Sequence, residues 1–168
     1  MVVHVQRPAF NLREKINEIG GSVSPNRMPT GSIIGVQKYT LTNSANGGFL
    51  INTSSSSWTA SPLLLAITPK FSTSKILINV NSSSYNGGSG HTAYTIYRDS
   101  TNLGGSTYGM ADFTGSHNWR MFSMMFLDSP TTTSSVTYRV YGRTTNNTLY
   151  FGGDSDMVNA ITLMEVSA

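Results

Sequence analysis

Three histidines, His4, His91 and His117, are the only side chains in this sequence whose ordinary pKa lies near neutrality. They are far apart, with no H-x-x-x-H pair and no carboxylate at ligand spacing, so the pattern offers no metal site. Beyond residue 30 the acids are Asp99, Asp112, Asp128, Asp154, Asp156 and Glu165, and no two stand out as the paired carboxyls of a glycosidase. Asp154-Ser155-Asp156 follows Gly152-Gly153 and carries oxygens of the kind Ca²⁺ takes, but the other ligands of an EF-hand loop are missing. A solvated turn is expected there. Serine, histidine and aspartate are all present for a nucleophilic triad, yet no G-x-S-x-G elbow presents a serine. The expectation is a chain with no catalytic residues, no metal and no cofactor.

Recognition chemistry is better represented. Aromatic residues make up 10% of the chain, and aromatic faces set among Asn and Ser form surfaces that bind carbohydrate or protein. Most belong to the core. Trp58, Tyr85 and Tyr108 fall in predicted loops and are the candidates for an exposed recognition surface. Met121, Met124 and Met125 read as packing.

Something must hold those residues in place, and the chain divides into two parts to do so. Residues 1–30 read as an arm. Asn11 caps a short helix over about residues 11–19, Glu14 completes a capping-box-like pair, and Gly20-Gly21 ends it. Leu12, Ile16 and Ile19 fall at i, i+4 and i+7, one apolar stripe with Phe10 at its head. Because a helix of two to three turns is marginal alone, those four residues are predicted to dock on a partner. Residues 22–30 contain two prolines and no periodicity, and read as an extended linker.

From residue 31 to residue 168 the pattern is that of a β domain. Eight runs are predicted as strands: 32–42, 63–68, 75–82, 92–98, 118–127, 136–143, 148–151 and 160–166. Val136, Tyr138 and Val140 alternate with Thr137, Arg139 and Tyr141, as in a half-buried strand. Leu63-Leu64-Leu65-Ala66-Ile67 is continuously apolar, and is predicted to be covered on both faces, by a second sheet or by a neighbouring subunit. Turn signals such as Asn46-Gly47-Gly48 and Asn86-Gly87-Gly88 separate the runs, with no room for helical crossovers. The fold class is therefore mainly β: a jelly-roll-like antiparallel β-sandwich with a short N-terminal helix on an extended arm.

Composition narrows the function. Charged residues are 11% of 168 and hydrophobic ones 38%, too apolar for a disordered chain, and there is no cysteine for a disulfide framework or thiolate site. The net charge of +3 is spread thinly, with seven basic and six acidic residues after position 27, so nucleic-acid binding is not expected. No run approaches the apolar length of a membrane-spanning helix and no signal-peptide pattern opens the chain, so no membrane insertion is expected.

Two groups of motifs occur together here. Arg7-Pro8-Ala9-Phe10-Asn11-Leu12-Arg13-Glu14-Lys15-Ile16-Asn17-Glu18-Ile19 resembles the N-terminal segment of tail-fibre and other virion structural proteins of tailed bacteriophages, particularly those of cyanobacteria. Gly31-Ser32-Ile33-Ile34, the segment 67–78 and Ala160-Ile161-Thr162-Leu163-Met164-Glu165-Val166 resemble the β domain of such proteins. The resemblance implies a non-enzymatic, commonly trimeric virion component. Its arm would dock on another virion protein, of tail or capsid, while the β head is available to a host-surface glycan or protein. It lacks a long shaft, so the readings are a short tail-fibre-like protein, a capsid decoration protein or, more remotely, a free lectin-like module.

Overall fold

A computed structural model describes residues 25–42, 48–115, 117–153 and 157–168. The proposed helix over residues 11–19, with Phe10, Leu12, Ile16 and Ile19, lies outside these residues. So do His4 and Asp154-Ser155-Asp156. A single 3-10 turn at Pro25–Arg27 stands where an extended linker was predicted, with the Met28 N–H donating to the Pro25 carbonyl at 3.3 Å. Proline at the first position of such a turn costs nothing, since that N–H has no helical partner anyway.

The described strands are β1 (Ile33–Thr42), β2 (Ile51–Thr53), β3 (Thr59–Ile67), β4 (Lys75–Asn86), β5 (Thr92–Arg98), β6 (Thr101–Asn102), β7 (Ala111–Phe113), β8 (Trp119–Asp128), β9 (Val136–Thr144), β10 (Leu149–Phe151) and β11 (Val158–Val166). All the pairings between these strands are antiparallel. Three of the strands are continuations of others. β1 and β2 pair with β11 and β10 respectively, β10 and β11 both lie along one side of β4, and β6 and β7 both lie along the outer side of β5. Counted as interrupted single strands, they reduce the chain to eight. The sheets then run first–eighth–third–sixth and second–seventh–fourth–fifth, which is the strand order of a jelly roll built from two Greek keys.

The two sheets close on one core. Ile76, Ile78, Val80, Ile161 and Leu163 face it from the first sheet, and Leu63, Tyr94, Ile96, Tyr138 and Val140 from the second, all without exposure. Strand β9 shows how pattern becomes packing, since every second residue from Val136 to Thr144 is buried. Hydrogen bonds cross between the layers. Arg98 Nη1 reaches both oxygens of Asp128 at 2.9 and 2.8 Å, Tyr138 OH donates to Asp128 Oδ2 at 2.7 Å, and Tyr94 OH donates to Ser84 Oγ at 2.6 Å. Glu165, 2% exposed, accepts from the Lys70 N–H at 2.6 Å and from Ser74 Oγ at 2.7 Å, so a buried carboxylate anchors the turn between β3 and β4.

Two packing expectations are corrected. Within the chain the run 63–67 is covered on one face and not by a second sheet on the other: Leu63 and Ile67 are buried, Leu64 and Leu65 half-buried and Ala66 exposed. β3 is an edge strand, and a bulge between Ala60 and Leu64 turns Ser61 inward to donate to the Val140 carbonyl at 2.8 Å. Of the methionines on β8 only Met124 packs inside. Met121 and Met125 alternate with it and point to solvent, 66% and 69% exposed.

The ends of the domain meet. The Gly31 N–H donates to the Ser167 carbonyl at 2.8 Å and the Ser167 N–H to the Ser32 carbonyl at 2.9 Å, beside the pairing of Ile33 with Val166 and of Val166 with Lys75.

Candidate functional site

Register assembles one surface that no segment of the sequence contains. β2, β10, β4 and β8 align Asn52, Tyr150, Tyr85 and Trp119 in a single row across the first sheet. The neighbours of Tyr150, Leu149 and Phe151, are buried in the core, and those of Tyr85, Ser84 and Asn86, are buried as well, so alternation turns both tyrosines outward. Phe49, just ahead of β2, closes the row: its ring lies 4.8 Å from Tyr150 and 6.1 Å from Trp119, near-parallel to the latter at 22°. Tyr85 sits 5.1 Å from Trp119, 5.6 Å from Tyr150 and 6.3 Å, edge-on, from His117. His117 holds a left-handed φ of 57°, and its backbone N–H donates to the Asn86 carbonyl at 2.8 Å, which holds the residue's backbone at the rim.

Together Phe49, Tyr85, Gly87, His117, Trp119 and Tyr150 line an open cleft of about 520 Å³. Gly87 leaves room for the ring, since a Cβ there would sit tightly against the Thr148 carbonyl at 3.2 Å and the Tyr150 ring at 3.3 Å. Trp119 is 46% exposed. None of the lining residues is a carboxylate, lysine or arginine. What this lining offers is stacking and hydrogen bonding on rigid strands, within the size range of small-ligand clefts.

No protein family matches the chain, and no curated protein sequence matches it. Among solved structures, one match is a chain from "Structure of infectious bursal disease virus Gx strain", at 9% identity and a TM-score of 0.36. It covers 86% of this chain, which spans only 40% of the viral one.

The three sequence-predicted recognition residues separate. Tyr85 is in the cleft, although it lies near the end of β4 and not in a loop. Trp58 and Tyr108 lie on the second sheet's side, around the turn between Gly105 and Gly109. Trp58 Nε1 donates to the Ser106 carbonyl at 3.1 Å, Arg143 Nη1 donates to the same oxygen at 3.2 Å, and the guanidinium lies 5.6 Å over the Trp58 ring. That ring is occupied in holding the turn. Tyr108 is 54% exposed, 5.2 Å from the His91 ring, whose Nδ1 is 2.8 Å from Asp112 Oδ2. The hollow beside it, about 90 Å³, is below the volume that ligand clefts need. Phe49, His117, Trp119 and Tyr150 escaped the sequence reading because only pairing across about 100 residues of chain joins them. Among the described residues no group of three His, Cys, Asp or Glu is placed to hold a metal ion.

Proposed function

We propose that this chain is a non-enzymatic structural protein of a phage particle, short and tail-fibre-like, which docks by its N-terminal arm and presents the β head for host-surface recognition. One observation carries the reading: the domain has two functional ends. The arm enters at Gly31, beside Ser167 and Lys75, while the aromatic cleft lies at Tyr85, ten residues further along β4. At about 3.3 Å per residue that separates them by roughly 33 Å. Docking at one end leaves the cleft at the end of the sheet remote from the particle. The motifs of the arm and of the β domain supply the phage context, and Leu12, Ile16 and Ile19 supply the docking stripe. In the same reading the chain is a homotrimer, and sedimentation near three times 18.2 kDa checks it.

Adsorption of particles to host cells tests the recognition role. Particles carrying Trp119→Ala are expected to adsorb about tenfold more weakly while holding the protein in normal amount. Unchanged adsorption, or antibody against the β domain labelling the whole capsid surface and not the tail, would overturn it. The second outcome would favour a capsid decoration protein.

A further inference from the structure

We infer that the cleft takes an uncharged saccharide, a hexose-sized unit of a neutral surface polysaccharide; this rests on the recognition role proposed above. Four aromatic rings pack on one another here, Trp119 exposed and the other three half-buried, three of them on neighbouring strands of one sheet and Phe49 just ahead of β2, so the surface is preorganised rather than incidental. The ligand must cover aromatic faces and still satisfy polar groups at their margin. A sugar ring does both, with C–H groups on one face and hydroxyls around its edge.

Charge selects within that class. The lining residues include no carboxylate, lysine or arginine, so the cleft holds no permanent cation to pair with a sulfate, phosphate or sialic acid carboxylate, and His117 at the rim is its one basic side chain. Arg120, the nearest cation along β8, is turned to the other side of the strand, donating to the Thr114 carbonyl at 3.0 Å and lying 5.8 Å over the Phe113 ring. At one end of the aromatic row stands an exposed amide, Asn52 beside Tyr150. An amide donates and accepts at once, which suits vicinal hydroxyls of a sugar. The tyrosine rings supply hydroxyls from the same face. About 520 Å³ of open cleft accommodates one or two hexose units and leaves the remainder of a polymer in solvent.

The experiment is an array of neutral and acidic glycans probed with the full-length protein, followed by titration of the strongest hit with tryptophan emission as the signal. Binding confined to neutral glycans is expected, with quenching that comes from Trp119. Trp119→Ala and Tyr85→Ala should each weaken it at least tenfold, whereas Trp58→Phe, on the other sheet, should leave affinity unchanged. Circular dichroism of each variant confirms that the fold is retained. Preference for acidic glycans, or neutral binding that survives Trp119→Ala, would overturn the inference. If no glycan binds while host adsorption still depends on Trp119, the saccharide is wrong and the recognition role stands. If neither depends on Trp119, both fall.

Discussion

Two tyrosine hydroxyls, those of Tyr94 and Tyr138, lie in the space between the sheets with no exposure to water, and they make stability depend on alkaline pH in a calculable way. Burial pushes the Tyr94 pKa well above its ordinary value, against a smaller opposing effect of the Ser84 hydrogen bond. Tyr138 is raised still further, first by burial and then by its bond to the Asp128 carboxylate, which would repel a phenolate. The stability each contributes is fully present below the unfolded pKa of about 10 and is lost as pH rises toward the folded value. Above about pH 10 the unfolded chain releases protons that the fold retains, at about 1.4 kcal/mol per pH unit per tyrosine, or about 2.7 for both. By roughly pH 11.5 the loss reaches about 4 kcal/mol, comparable with the whole stability of a marginal domain. Tyr97, raised in the same direction by burial and by Tyr141, adds to it. Urea unfolding at a series of alkaline pH values measures the slope. Tyr138→Phe should cost about 1.5–3 kcal/mol at neutral pH, since it loses a bond to a charged group, and should remove about half of the alkaline slope. Tyrosinate absorbance of the folded protein should account for at most six of its eight tyrosines near pH 11. An unchanged slope in Tyr138→Phe, or all eight titrating while the fold persists, would refute the reasoning.

Asp128→Ala should destabilise by about 3–5 kcal/mol in denaturant melts, because it strands Arg98 and the buried Tyr138 hydroxyl. The triple change Arg98→Met, Asp128→Leu, Tyr138→Phe should recover most of that loss, having no orphaned polar group. Gly90→Ala should cost at least about 2 kcal/mol or prevent folding, since a methyl there runs into the Thr145 backbone carbonyl; a near-wild-type melting curve would contradict that contact. Leu12→Asp or Ile16→Asp should abolish incorporation into particles while the β domain melts normally, because a carboxylate does not enter an apolar groove.

Alternation made the long strands legible. Thr92–Arg98 is found with its predicted bounds, and β8, β9 and β11 within one or two residues of theirs, since one face of each packs inward and the period of two shows through; β1, which has no buried residue, is found within one residue of its predicted bounds on its β-branched and apolar content. β2, β6 and β7 are two or three residues long, too short to carry a period, and their pairing is fixed by the strands beside them. β3 begins four residues earlier than its apolar run, because the bulge at 60–64 lets polar Ser61 and Pro62 sit in a strand. β4 runs on past its predicted end at Ser82 through Ser83 and Ser84, which are buried where β10 and β8 pair with it and read as loop by composition alone. That same extension moves Tyr85 from a loop to the cleft. Aromatic content signalled recognition, but the partners of Tyr85 depend on three inter-strand registers, and those are properties of the folded sheet.

The placement of Gly31 and the cleft at opposite ends of the first sheet has a mechanical consequence. A head tethered by its arm and gripping a surface at Trp119 and Tyr85 is pulled lengthwise along β1, β11 and β4. Antiparallel ladder bonds lie across that direction, so the pairs from Ile33 with Val166 to Tyr85 with Trp119 carry the load together in shear. Tension between the tether and the grip therefore has no single bond from which to start unzipping the domain.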